Sequence, residues 1–535
     1  MIRKYIILLL TAEILFSGIL LTQPILEWVQ MYPDTTSSFR AGSYALVLDA
    51  SFNIYVTGYA ATQTGTWNSY CTIKYNSSGG RQWVSNYYGN NSGGRFSHSI
   101  ALDSSRNVYV TGYSYEQGRE FDYCTVKYDS NGVQQWIQLH DGPAHGIDQA
   151  REVAVDNAGN IYVSGFSSIW GSYGWIYATI KYSTNGEILW LRTFGNASSG
   201  TDVGGMKIDD SCNVYITGEN GPHAVTIKYD SSGNQIWVNE YTIGGPQSCA
   251  STIAIDKDNS VFIAGYVYDP LSDCFTIKYS SEGVELWERK FNPDSMTNGR
   301  YWANSLVTDN VGNVYVNGVY RSNESAPAKI FTLKYLSDGY LSWSRNEPDN
   351  ISSQYSTYIN IDKSNNTYIA YSVKKDLEPI QYGIVKYDSS GMIKWKTKTE
   401  FQENTIPSCM NLDEDDCIFV TGAGTTKMYT VKYSQLVGSI SNNEKTPKVY
   451  KLNQNYPNPF NLNTKINYEL QITSHIKISV FDITGKEIAI LVNEKQNTGL
   501  YKINFDGTNC SSGIYFYSLL ADGDFIETKK MLFIK

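Results

Sequence analysis

Histidine is scarce in this 535-residue chain, which holds five. One of them, His98, falls five residues before Asp103, and Arg151 falls five residues before Asp156. A neutral imidazole can accept or pass a proton, and a guanidinium can grip a carboxylate or an anion through two parallel hydrogen bonds. A fold that brought the two together would suit ligand binding or proton transfer. Further along, stretches of irregular length carry Trp67, Trp170, Trp175 and Trp302 with Arg95, His145 and Arg300. Indole rings beside polar groups can stack on sugar rings or anchor a protein partner. The competing reading is that several of these side chains wedge elements apart or pack their own loops, and that His98 is a hydrogen-bonded structural residue.

The sequence offers little other chemistry. It contains no G-x-S-x-G, HExxH, Walker loop or zinc-ligand spacing. It therefore predicts neither a resident metal nor a cofactor. "DEDD" at 413–416 could attract calcium, but a solvated turn is the simpler reading. A formal charge of -9 without a basic stripe argues against nucleic acid as a partner. The eight cysteines form no CxxC pair and read as small buried hydrophobes; no disulfide connectivity follows from them.

The elements that would position these residues repeat. Aligned on a Lys-Tyr pair, Tyr75, Tyr128, Tyr182, Tyr229, Tyr279, Tyr335, Tyr387 and Tyr433 are 46 to 56 residues apart. That is the period of a four-stranded propeller blade. Each unit holds four short β-runs, as in "SIALD" (99–103), "VYVTG" (108–112), "CTVKY" (124–128) and a fourth ending in Trp136. Aromatic content of 14% and 44 Gly suit strands joined by tight turns, and long amphipathic helix patterns are hard to find. On the first run, large residues such as Leu46 and Leu48 alternate with small ones such as Ala101 and Ala154, as expected of sheets stacked face to face. The Lys before each Tyr and the Asp ending each first run recur eight times, which speaks for ion pairing and turn capping rather than catalysis.

Trp28 stands before any other blade element, and the last Lys-Tyr strand has no Trp after it. The chain thus opens with a lone fourth strand, "ILEWVQMY" (25–32), that can complete the last blade. The fold class expected is all-β: an eight-bladed β-propeller over 24–434 with three-plus-one closure, which leaves no unpaired edge. A linker (435–449) and a small Ig-like β-sandwich (450–535) follow.

Two resemblances support this. "D-x-x-x-N-(V/I)-Y-V-T-G" followed by "T-(I/V)-K-Y-(D/N)-S-x-G-x-x-x-W" resembles the bacterial SBBP β-propeller repeat, which implies a fold and no reaction. The turn-then-Trp element is also similar to repeats of eight-bladed quinoproteins, but it lacks their Ala and Thr and the adjacent cysteine pair. "NYPNPFN", "VFDITGKEIAILV", "SGIYFYSLLADG" and the basic-apolar end resemble the type A sorting domain of the type IX secretion system, with Asn455, Tyr456, Pro457, Asn458, Pro459 and Phe460 as its motif. The alternative is an Ig-like module with no sorting role. The resemblance implies the type IX secretion machinery as a partner and delivery through the periplasm to the cell surface or the medium. Residues 1–23 fit that route, with Arg3 and Lys4 ahead of an apolar run, although Glu13 and the lack of a clear cleavage site keep an uncleaved anchor open.

In a meander, the first-to-second and third-to-fourth turns share one end of each blade, and these are short and uniform. The other end carries the variable loops and with them Trp67, Arg95, His98, His145, Arg151, Trp170, Trp175, Arg300 and Trp302. Tyr44, His98, Arg151, Gly204, Ser251, Asn304, Thr357 and Ser408, each five residues before a blade Asp, are expected to ring the channel. The function favoured is non-catalytic binding of glycan or protein by a monomer; the alternative is a glycan hydrolase or lyase, or a quinoprotein-like oxidoreductase. A carboxylate pair within glycosidase reach at the channel mouth would favour the enzyme, and its absence beside a tryptophan patch would favour binding.

Overall fold

The computed structural model describes residues 23–435 and 450–535, apart from 34–39, 62–67, 90–92, 116–119, 170–173, 196–199, 243–246, 269–272, 294–298, 324–325, 348–356, 375–377, 471–472, 483–485, 509 and 522–523. The predicted leader and most of the predicted linker lie outside the described residues. Two compact units divide the chain at Val437/Gly438. Among the described residues there is no helix.

The first unit holds eight four-stranded antiparallel sheets. Seven are consecutive meanders whose inner strands are Ala41–Leu48, Arg95–Leu102, Asp148–Val155, Thr201–Ile208, Gln247–Ile255, Arg300–Thr308 and Thr357–Ile361. The eighth combines Thr405–Leu412, Ile418–Gly424 and Met428–Ser434 with Ile25–Tyr32 from the start of the chain. Each inner strand packs on the next, and Thr405–Leu412 packs back on Ala41–Leu48. The returning strand pairs from Ile25↔Ser434 to Tyr32↔Met428, with Trp28 opposite Lys432 and Glu27 bound to Lys432 at 2.9 Å. The seam next to it is polar and satisfied: Ser43 Oγ meets Thr421 Oγ1 at 2.8 Å and donates to the Gly422 carbonyl at 2.8 Å.

Three devices explain the repeated motif. The first is an aspartate latch. Asp49 Oδ1 accepts the N–H groups of Ser51 and Asn53, while Oδ2 accepts Asn53 Nδ2 at 2.8 Å and the Tyr55 hydroxyl at 3.1 Å. The same set joins Asp209, Asn213 and Tyr215. D-x-x-x-N-x-Y is thus one hydrogen-bonded unit that caps the first turn. The second is the lysine, which lies over the ring of that Tyr and donates to a carbonyl of the next sheet, as Lys181 does over Tyr162 and to Ser231 at 3.0 Å. The third is the outer tryptophan. Trp190 Nε1 donates to the Ser231 carbonyl at 3.2 Å, and its ring lies on Gly233, where φ of +82° and a would-be Cβ 2.8 Å from the indole both demand glycine. Trp28 makes the same contact with Ser77 and Gly79, so the opening strand staples the eighth sheet to the first.

Trp395 ends this series, with no such turn following it among the described residues. Gln435 takes the turn's place: its Oε1 accepts Lys386 Nζ at 2.5 Å and its Nε2 donates to the Asp416 carbonyl at 2.8 Å. The first unit therefore uses Gln435, one residue beyond the expected boundary.

The second unit has a three-stranded sheet (Tyr450–Leu452, Asn463–Leu470, Gly499–Asp506) and a four-stranded one (Glu487–Gln496, Ser474–Phe481, Gly513–Ala521, Asp524–Phe533). They share a core of Ile466, Tyr468, Ile478, Phe505, Tyr517, Leu519 and Phe533. The "NYPNPF" segment is part of that structure. Phe460 packs on Phe533 at 4.9 Å, buried Asn455 holds the Pro457 carbonyl and Thr464, and Asn458 Oδ1 accepts the Leu532 N–H at 2.8 Å. Tyr456 alone of the motif's aromatics is outside, 78% exposed.

Candidate functional site

The loop-rich end is shaped by a recurrent β-bulge. In seven inner strands the pairing slips at the residue five before the aspartate: Tyr44, His98, Arg151, Gly204, Ser251, Asn304 and Ser408. A bulge re-aims the extra side chain. Here it brings residues of successive sheets together. Tyr44 stacks on His98 with centroids 5.1 Å apart, Arg151 Nη1 lies 3.4 Å from His98 Nε2, and Asn304 Nδ2 donates to Thr357 Oγ1 at 3.3 Å.

Arg151 can only donate, so His98 Nε2 accepts and the ring proton falls on Nδ1. Burial, helped by the Arg151 charge, brings the His98 pKa down to about 3. The imidazole is neutral at any ordinary pH. Arg151 spends its other donors on the next sheet, with Nε to Asp202 Oδ1 at 3.0 Å and Nη2 to Oδ2 at 3.2 Å, and its guanidinium lies over Phe166.

Just outside the bulges, towards the loop-rich end, runs a rung of cross-strand pairs: Gly42/Tyr59, Phe96/Tyr113, Gln149/Phe166, Asp202/Glu219, Cys249/Tyr266, Trp302/Val319 and Ile406/Ala423. In the first two sheets it forms a ladder of half-buried rings. Tyr44 meets Tyr59, Tyr59 meets Phe96, Phe96 meets Tyr113, and Tyr113 meets Phe121, with centroids 5.0 to 5.7 Å apart; His98 packs on Tyr113. In the fourth sheet the rung is acidic. Glu219 accepts Gln247 Nε2 at 3.2 Å, and burial, then the charge of Asp202, raise its pKa. Successive sheets thus place an aromatic arc, a neutral imidazole, a guanidinium and two carboxylates side by side.

The residues expected at this face scatter. His98 and Arg151 meet as described. Arg95 is not on the open face: it is 1% exposed, and its guanidinium donates to the carbonyls of Gly93 and Tyr115. His145 is exposed and bound to Asp141 at 2.7 Å. Trp175 is half-buried, edge-on to Phe166. Arg300 and Trp302 are half-buried on one inner strand, and Trp67 and Trp170 lie outside the described residues. No single tryptophan platform is assembled among the described residues. The sequence reading missed Tyr59, Phe96, Tyr113, Asp202, Glu219 and Gln247. The signal was present: Tyr59, Tyr113 and Glu219 each follow the glycine that ends the Y-(V/I)-T-G strand motif.

Among the described residues, Asp122, Asp141 and Asp148 offer carboxylate oxygens within 4.8 Å of one another and could hold a metal ion. Asp148 already accepts the N–H groups of Gly142 and Ser168, and Asp141 binds His145, so the group also serves to close its loop. At the short-turn end, a 370 Å3 depression is lined by Asp49, Asp362, Asp413, Glu414 and Asp416 with Leu48 and Phe52. Its aspartates at 49, 362 and 413 act in turn capping.

Comparison with known proteins finds one family model in each part of the chain. Residues 85–117 match the family model described as Beta-propeller repeat, and residues 454–535 match that described as Secretion system C-terminal sorting domain. No curated protein matches the sequence. Among solved structures, a europium-containing methanol dehydrogenase is similar at 10% identity over 77% of this chain and 94% of that one, with a TM-score of 0.48. Sqt1 from Chaetomium thermophilum is similar at 6% identity over 76% and 99%, with a TM-score of 0.48. The β-propeller domain of the Trilobed protease from Pyrococcus furiosus, which has an open velcro topology, is similar at 8% identity over 64% and 95%, with a TM-score of 0.38. The chain is a secreted β-propeller protein carrying a type IX sorting tail.

Proposed function

We propose that this protein is an eight-bladed propeller, closed by its first strand, that binds saccharide at its loop-rich mouth after an Ig-like sorting sandwich has taken it across the outer membrane. The carrying observation is the ladder of Tyr44, Tyr59, Phe96, Tyr113 and Phe121 beside His98, Arg151 and Asp202. Aromatic faces take the C–H surface of a pyranose, while fixed donors and acceptors at the edge select its hydroxyls. A neutral imidazole and ion-paired Arg and Asp supply hydrogen bonds with little net charge, as an uncharged polyol requires. Half-buried rings kept at a mouth instead of in the core also support a binding surface.

A glycan array probed with the purified chain tests this. Binding is expected to one class of saccharide and to weaken at least about tenfold in Tyr113→Ala and Arg151→Ala, as loss of a central anchor does. Capture of no glycan would refute the reading and turn attention to a protein partner. The delivery route is tested by removing residues 450–535, which should leave the propeller in the periplasm; normal appearance at the surface would contradict it.

A further inference from the structure

Asp202 and Glu219 face each other directly across the inner pair of strands in the fourth sheet. Their side chains leave the same face with Cβ atoms about 5 Å apart. Like charges so placed destabilise a sheet. The fold does not require them, because the equivalent described pairs in six other sheets are aromatic, small or neutral: Gly42/Tyr59, Phe96/Tyr113, Gln149/Phe166, Cys249/Tyr266, Trp302/Val319 and Ile406/Ala423. Two acids at one position of a rung whose other described pairs are uncharged therefore point to a task.

Their surroundings differ. Asp202 accepts two bonds from Arg151 and a third from the Val203 N–H at 2.9 Å, which fix its position. Glu219 receives an amide bond on Oε2 from Gln247 and a hydrogen bond from the Cys249 thiol. Its Oε1 faces Gly200, where an added Cβ would stand 3.9 Å away. Burial and the neighbouring charge favour the protonated form of Glu219.

We propose that Glu219 and Asp202 cleave a glycosidic bond in a saccharide held across the aromatic ladder, Glu219 as the acid and Asp202 as the facing carboxylate; this rests on the saccharide reading of the same mouth. The Glu219 carboxyl gives its proton to the glycosidic oxygen as the bond from that oxygen to the anomeric carbon breaks and its electron pair stays with the oxygen. The positive charge that develops on the sugar ring faces the Asp202 carboxylate. Water then bonds to the anomeric carbon through its oxygen and returns a proton to Glu219. One glycoside and one water become two shorter saccharides, and nothing is oxidised or reduced. Gln247 and Arg151 act as positioning residues, one holding Glu219 and the other holding Asp202.

The test incubates the purified chain with reduced hexasaccharides of β-1,4-glucan, xylan, mannan, chitin and polygalacturonate, and follows both binding and new reducing ends. Cleavage of at least one substrate is expected, slowed about 100- to 10,000-fold in Glu219→Gln. The wild-type rate should fall as pH rises through the raised Glu219 pKa, a readout that does not depend on the variant folding. Binding without cleavage would overturn the catalytic assignment and leave the saccharide reading intact. Neither binding nor cleavage would overturn the reading beneath it. Undiminished cleavage by folded Glu219→Gln, or a rate that does not fall on the alkaline side, would remove Glu219 as the acid.

Discussion

At the short-turn end the same latch, lysine and tryptophan recur from sheet to sheet, whereas at the loop-rich end the corresponding positions change at each step around the mouth. Asp49, Asp209 and Asp362 have nearly superposable partners. Tyr44, His98, Arg151 and Gly204 share a bulge and little else. One end fixes the distance and angle between sheets, which leaves the other free to vary. The bulge links them: because the latch sets the register, the fifth residue before it is the one turned out in seven of the eight sheets.

The comparison breaks most severely if the opening strand is dispensable. Deleting residues 25–32 removes the outer strand of the eighth sheet, the Trp28 staple and the Glu27–Lys432 pair, and should cost more than about 4 kcal/mol with loss of cooperative unfolding. An unchanged urea midpoint would show that the seam closes otherwise. Next, Trp190→Ala at the short-turn end should cost about 3–5 kcal/mol, because Trp190 is 7% exposed and packed between sheets. Arg151→Ala at the mouth should cost below about 1 kcal/mol, since Arg151 and Asp202 remain 26% and 46% exposed and water screens the pair. Equal losses by chemical denaturation would erase the contrast.

Two sheets sharpen it from within. The fifth has Ser260 and Phe262, and the eighth Cys417 and Phe419, where the other latches use Asn and Tyr. Tyr215→Phe should therefore cost about 1–2 kcal/mol, while Phe262→Tyr should gain up to about 1 kcal/mol by completing a latch on Asp256. Denaturation of both variants checks the pair, and a loss in Phe262→Tyr would show that the fifth sheet has repacked around its ring.

Acid gives the most separable effect. The folded His98 pKa of about 3 lies below its ordinary 6.5, so its contribution is complete above pH 6.5 and is lost as pH falls towards 3. Asp49 and Asp156 are held below the usual carboxylate value, chiefly by latch bonds that outweigh burial, so their contributions last to lower pH and vanish as pH falls through those depressed values. Asp413 has the opposite sign: burial raises its pKa, so its charge costs stability near neutrality and acid relieves it. Urea midpoints from pH 7 to 4 should decline less in His98→Gln than in the wild type. Parallel curves would remove His98 as the buried neutral group of the mouth.

Much of the frame was legible because it repeats. The Lys-Tyr spacing marked the units, and the displaced Trp28 foretold the pairing with Met428–Ser434. The mouth was legible only where a residue's offset from the latch decided its fate, as for His98 and Arg151. Arg95 misled because an arginine near a loop suggests exposure, yet this one is 1% exposed and holds backbone carbonyls. Tyr59, Tyr113 and Glu219 were passed over although their place after the motif glycine marked them, and Asp202 because an acidic residue in a strand carries no signal until its cross-strand partner is known.

The sequence by itself determined the strand period, the turn chemistry and the sorting tail, since these depend on neighbours within a few residues and on repetition along the chain. Which side chains meet at the mouth was decided by tertiary structure alone: Asp202 and Glu219 are 17 residues apart in sequence and opposite each other in the sheet, and Arg151 reaches Asp202 only across a packed interface. Register and sheet packing are collective properties, so the chemistry they assemble appears only once the whole unit has folded.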